Sequence, residues 1–185
     1  MRALTWQGVE EWLAEHAQID LGDDGVMATG VQLGVEPDSY LVEYHLDAPS
    51  GWITRRLEVE ASGAGWRRSL TLEHDGNGRW TANAERIAAL DGALDCDLAF
   101  SPLTNLMPVR RSGLHQRPGR EDFLMAWVSV PDLRVHASPQ RYEHVRPGVV
   151  RFIALDGDFT AELELDDDGL VVRYPRLAER VAPAT

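Results

Sequence analysis

Apolar and polar positions alternate with a period of two along much of the chain. From Tyr40 to Asp47, Tyr40, Val42, Tyr44 and Leu46 fall on one side, and Glu43, His45 and Asp47 on the other. This spacing predicts a strand with one dry and one wet face. The same reading holds for Trp52 to Ala61 (Ile53, Leu57 and Val59 against Thr54, Glu58 and Glu60) and for Asp158 to Asp166 (Phe159, Ala161, Leu163 and Leu165 against Thr160, Glu162 and Glu164). Further strands are expected over 66–74, 94–101, 123–130, 140–146, 149–155 and 170–174. Between them, Asp75-Gly76-Asn77-Gly78, Asp156-Gly157-Asp158 and Asp167-Asp168-Gly169 supply residues that tolerate the positive φ of tight hairpins. Gaps this short join antiparallel neighbours, because a parallel pair needs a crossover of a dozen residues or more. The second half therefore reads as a meander.

Helical spacing is weaker and is expected in three places. These are Trp6 to His16, which is equally a strand interrupted at Gly8; Ala84 to Leu90, with Asn83 as N-cap and Gly92 as stop; and the tail from Arg176 to Val181. The polar run from Arg110 to Asp122 reads as a loop. With so little helix, a one-sided sheet must cover its dry face by pairing, by docking helices or by curling. The expected fold is thus mainly β, a single strongly curved antiparallel sheet of half-barrel or β-roll type with one or two short helices. Residues 1–185 form one domain, long enough to fold without disulfide or metal. Curled sheets with an apolar concave face commonly hold amphipathic ligands.

Charge narrows the partners. A formal net charge of −12 repels phosphate backbones and anionic leaflets, so nucleic acid is not expected. All the basic residues are arginines, which removes P-loop and Schiff-base lysine chemistry. The single cysteine, Cys96, cannot form an internal bridge, and the opening MRALTWQGVEEW has no basic and apolar leader pattern. A reducing, cytoplasmic setting and a soluble protein with no membrane span are expected.

The densest candidate chemistry is Asp91 to Leu98, where Asp95 and Asp97 share one strand face and Leu94, Cys96 and Leu98 take the other. The pair reads as acid and base, as ligands for a hard cation, or as a structural ion network with Arg110 and Arg111. Pro102 and Pro108 bracket a segment expected to be a bend or edge, in which Asn105 either caps a turn or meets a ligand hydroxyl. None of the six histidines stands at metal-ligand spacing. Elbow, phosphate-loop and dinucleotide motifs are absent, and Cys96 between two aspartates is a poor nucleophile. No catalytic residue, metal or cofactor is expected. Of the six tryptophans, Trp80 is the one assigned to a ligand.

Gly78-Arg79-Trp80, Leu90-Asp91-Gly92 with Asp95-Cys96-Asp97-Leu98, Thr104-Asn105, Pro108-Val109-Arg110-Arg111, Gln140-x-Tyr142 and the run 166–175 occur in one order. Together, from about Trp6 to Leu177, they resemble the bacterial putative glycolipid-binding family, formerly a domain of unknown function. The resemblance implies a curved antiparallel sheet similar to the half-barrels of lipoprotein carriers, with acyl chains on the concave face and no known reaction.

The expected function is binding of a hydrophobic or amphipathic ligand, a lipid or glycolipid, by the concave sheet. Asn105, Arg110, Gln140, Tyr142, Arg151 and Trp80 are the expected contacts. Two alternatives are a small enzyme using Asp95 and Asp97, and a non-catalytic oligomeric scaffold, for instance a homodimer, whose concave face is filled by its own helix or a partner chain.

Overall fold

The computed structural model describes residues 1–182. Eight strands come first: β1 (Arg2–Gly8), β2 (Leu13–Leu21), β3 (Val26–Gly34), β4 (Tyr40–Ala48), β5 (Arg56–Gly63), β6 (Trp66–His74), β7 (Trp80–Ala82) and β8 (Glu85–Arg86). A 3-10 turn (Ala88–Leu90), β9 (Asp95–Leu98), a second 3-10 turn (Pro102–Asn105) and helix α1 (Leu106–Ser112) follow. The rest is β10 (Arg120–Val128), β11 (Val135–Arg146), β12 (Val149–Ala154), β13 (Thr160–Leu165), β14 (Val171–Tyr174) and β15 (Ala178–Arg180).

All fifteen strands join one mainly antiparallel sheet, in the order β8 to β1, then β15 down to β9. Each half is a meander, and the two are sewn together where β1 pairs with β15, Trp6 opposite Arg180 and Gly8 opposite Ala178. The sheet does not close, since β8 and β9 remain its outer strands. One pair is parallel. β9 runs alongside β10, Asp95 opposite Met125 and Leu98 opposite Val128, because the connection between them is long enough to hold α1. No helix among the described residues is long and apolar enough to cross a membrane.

Both halves of the sheet bend onto the segment from β9 to α1. From the first half, Gln32 Nε2 donates to the Ala99 carbonyl at 3.2 Å and Thr54 Oγ1 accepts from the Cys96 N–H at 3.1 Å. From the second half, Tyr142 Oη donates to Asn105 Oδ1 at 2.9 Å. The dry face that would otherwise meet water is covered from within by Leu98, Leu103, Leu106 and Met107, all essentially fully buried. Each such side chain contributes roughly 1.5–3 kcal/mol on burial. These side chains occupy part of the interior that the hydrophobic pattern assigns to a ligand.

Of the three helical expectations, one takes its strand alternative and two are corrected. Trp6 to His16 forms the end of β1, a turn and the start of β2, with Val9 and Trp12 exposed on that turn at apparent helical spacing. The tail is β15, held by the β1 seam. Ala84 to Leu90 keeps only a single 3-10 turn after the two-residue β8. The helix that does form lies within the expected bend. Pro108 is in the first turn of α1, where its missing N–H costs nothing, and Gly113, at φ 70°, closes the helix by donating to the carbonyls of Val109 and Arg110. The run from Arg110 to Asp122 is thus helix end, turn and the start of β10.

Candidate functional site

The cleft that gathers convergent polar groups and aromatic rings lies at the end of the sheet where β9, β10, β14 and β12 finish and β11 begins, and has a volume of about 370 Å³. Its floor comes from β9 and the turn after it, which contribute Asp97, Ala99, Phe100, Ser101 and Asn105. From β11 come His136, Ser138 and Gln140, which alternate with residues pointing the other way, and β10 adds Trp127. Phe152, Phe159 and Tyr174 make an aromatic wall, with ring centroids 5.9 to 6.2 Å apart. Phe100 sits at φ 65°, the left-handed region that a bulky side chain enters at a cost of order 1 kcal/mol, and such positions concentrate at binding sites.

The polar floor is a chain of hydrogen bonds. Gln140 Nε2 donates to Asp97 Oδ2 at 2.6 Å, and the Thr104 hydroxyl lies 3.1 Å from both Asp97 Oδ1 and the Ser101 carbonyl. Behind them the buried Tyr142 hydroxyl, which donates to Asn105, is 3.3 Å from Gln140 Oε1. The Asp97 carboxylate, which can only accept, fixes the Gln140 amide with its NH₂ toward it. Asn105 Nδ2 donates to the Pro102 carbonyl at 3.2 Å. Desolvation raises the Asp97 carboxyl above its ordinary value, against the hydrogen bonds from Gln140 and Thr104.

Asp95 has a different environment. It is fully buried, and Arg111 grips it with both arms, Nη1 to Oδ1 at 2.6 Å and Nη2 to Oδ2 at 2.5 Å. Here too burial raises the carboxyl, with Arg111 opposing. Arg111 also donates to the Trp52 carbonyl at 3.0 Å, pinning α1 to the loop before β5. The expected four-member ion network is in fact this one pair. Asp97 has neutral partners, while Arg110 lies over the Trp52 ring at 4.5 Å and donates to the Asp168 carbonyl. Between the aspartates, Cys96 is fully buried, and desolvation, more than its acidic neighbours, pushes its thiol up to about 12.

Of the six expected ligand contacts, the structure brings Asn105 and Gln140 to the cleft, with Tyr142 directly behind them. The other three lie elsewhere. Trp80 is a core anchor, stacked on His74 at 4.7 Å with its indole N–H donating to the Ala93 carbonyl. Arg151 pairs with Glu143 and Glu162 on neighbouring strands. Arg110 is held between Trp52 and Asp168. Phe152, Phe159, Tyr174, Trp127, His136 and Ser138 were not singled out from sequence. Ser138 was the findable one, being two and four residues from Gln140 and Tyr142 on the same strand face.

A second cleft of about 400 Å³ lies at the opposite end, lined by His115, Arg146, Glu164, Leu165 and Asp167 among others. It has mixed charge, lacks an aromatic wall and holds none of the expected contacts. Among the described residues no group of three or more His, Cys, Asp or Glu is placed to hold a metal ion.

Fold and cleft together define an open β-sheet protein with an aromatic, carboxylate-bearing pocket at one end. The chain belongs to the family described as putative glycolipid-binding, whose model matches residues 3–180. It is similar to a crystal structure of a DUF1089 family protein from Pseudomonas aeruginosa, at 28% identity and a TM-score of 0.81, with 95% of each chain covered. No curated protein matches the chain.

Proposed function

We propose that the protein binds an amphipathic molecule of glycolipid type, with the polar head in the cleft floored by Asp97, Gln140 and Asn105. The observation that carries this reading is the facing of that hydrogen-bonded floor with the aromatic wall of Phe152, Phe159 and Tyr174. Sugar-sized heads are recognised by this combination: oriented amide and carboxylate groups for hydroxyls, and ring faces for the apolar side of the pyranose. At about 370 Å³ the cleft is at the small end of the range for ligand pockets and suits a head rather than a long acyl chain. The apolar part runs over the rim, where Leu155 follows the lining residue Ala154, and where the Val9 N–H bonds the carbonyl of lining Leu177. Leu155, Val9 and the nearby Trp12 are all exposed.

Binding rather than catalysis is the reading favoured by the locked Asp95–Arg111 pair and by the buried Cys96, whose thiol stays protonated. The reading keeps the protein in a reducing, cytoplasmic setting, where a lone buried thiol needs no partner. The test is calorimetric titration with a short-chain alkyl glucoside, the free sugar and the matching alcohol. The glucoside binds best, and Gln140→Leu and Phe159→Ala each weaken it by about tenfold. Absence of binding by all three, or binding unaffected by both substitutions, overturns the proposal.

A further inference from the structure

Asp97 and Asp95 stand two residues apart on one strand, yet only Asp95 has a cation. Asp97 is satisfied by an amide and a hydroxyl, Gln140 and Thr104, and among the described residues no arginine lines its cleft. The other charged or titratable side chains there are Asp156, His136 and Tyr174. A carboxylate withdrawn from water without a counter-charge is costly, and a cationic ligand would offset that cost. The aromatic rings point the same way, since ring faces attract ammonium and guanidinium groups. One already does: the Arg176 guanidinium lies 4.6 Å from the Phe159 ring centre at the rim. The net charge of −12 further concentrates cations at the surface.

We infer that the head group this cleft selects carries an ammonium, as in an amino sugar, paired with Asp97 in the cleft that Trp127 and Phe159 also line. This rests on reading the cleft as the head-group site and adds the chemical class of the head. A neutral sugar would satisfy the amides but leave Asp97 uncompensated. An acidic head would meet Asp97 and Asp156 as like charges.

The test compares three probes of one chain length below their micellar limits: octyl 2-amino-2-deoxyglucoside with its amine protonated, octyl glucoside, and the N-acetylated amine. Calorimetry with the wild-type protein gives the amine an advantage of about tenfold over both others, the size expected when a neutral hydrogen bond becomes charge-assisted. In Asp97→Asn the ratio of amine to octyl glucoside affinity falls to about one, whatever affinity octyl glucoside itself retains. The acetylated probe makes the same comparison with no variant, so a misfolded Asp97→Asn does not block the result. Equal affinity for all three overturns the ammonium inference and leaves head-group binding standing. If none binds, the reading beneath it fails as well.

Discussion

Tyr44 lays its ring over Gly30, directly opposite it in the β3–β4 register, and donates its hydroxyl to Glu15 Oε1 at 2.5 Å. Ser101, from the cleft turn, donates to the same oxygen at 2.7 Å. Glu15 is fully buried with no cation on it, and its Oε2 has no hydrogen-bond partner among the described residues. The same is true of Oε1 of Gln32, the residue opposite Glu15 on β3. Burial raises the Glu15 carboxyl from 4.5 to about 7, against the two hydrogen bonds that lower it. The carboxyl is therefore an acid in the folded protein at mildly acidic pH.

A stability profile follows from that shift. The folded state holds the Glu15 proton more tightly than the unfolded chain, so this contribution is fully present below pH 4.5. It is lost as the pH rises through about 7. The loss amounts to about 3 kcal/mol. Other carboxylates shift too, so the informative quantity is the difference between wild type and Glu15→Gln, which mimics the protonated acid. Urea unfolding across this range should show the variant gaining on wild type as pH rises and exceeding it above pH 7. A flat difference would mean that Glu15 does not titrate in this window.

The Glu15 cluster also shows where the sequence was legible and where it was not. Strands β4, β6 and β13 were read closely because large apolar residues mark their dry face and charges their wet one. β3 was missed because its pattern is inverted. Its buried side includes Gln32 and Gly34, with partly exposed Gly30 in the same row, while Met27 and Leu33 point outward. Those residues are set by cross-strand neighbours: Gly30 and Gly34 make room for the rings of Tyr44 and Tyr40, and Gln32 reaches Ala99 across the fold. Periodicity cannot report such long-range reasons. The cleft was half legible for a related cause. Polar Asn105 stood out in an apolar run and Gln140 in the family-like Gln140-x-Tyr142 piece, whereas Phe152, Phe159 and Tyr174 look like ordinary core until the strands are placed side by side.

Cys96 should be silent to thiol reagents in the native state. It is fully buried, its Sγ accepts from the Thr54 hydroxyl at 3.6 Å, and its thiol is pushed up to about 12, so thiolate and access are both lacking. Labelling should follow the rate at which the protein opens and be independent of reagent concentration once reagent is in excess. Stoichiometric labelling within seconds under native conditions would contradict the burial.

Filling Gly30 should be destabilising although its φ is not left-handed. An added Cβ would strike the Tyr44 ring, and overpacking of this kind costs about 1–3 kcal/mol. Gly30→Ala in a Tyr44→Ala background should cost much less, giving a coupling of about 1 kcal/mol or more in a double-mutant cycle. Additive effects would place the ring away from the glycine.

The two aspartates of β9 should separate cleanly by stability. Removing Arg111 in Arg111→Leu leaves Asp95 buried and uncompensated in both oxygens, a change that costs about 3–5 kcal/mol when a buried pair is broken. Asp95→Asn costs less than Arg111→Leu, because the amide keeps one acceptor for Arg111, which is itself partly exposed and can reach water. Asp97→Asn removes no ion pair, and its loss is confined to the hydrogen bonds with Gln140 and Thr104, about 1–2 kcal/mol. Chemical denaturation should therefore rank Arg111→Leu as most damaging and Asp97→Asn as least. A loss at Asp97 equal to that at Arg111 would mean that Asp97 has a buried charge partner, and with it the contrast between a structural carboxylate and a ligand-facing one would disappear.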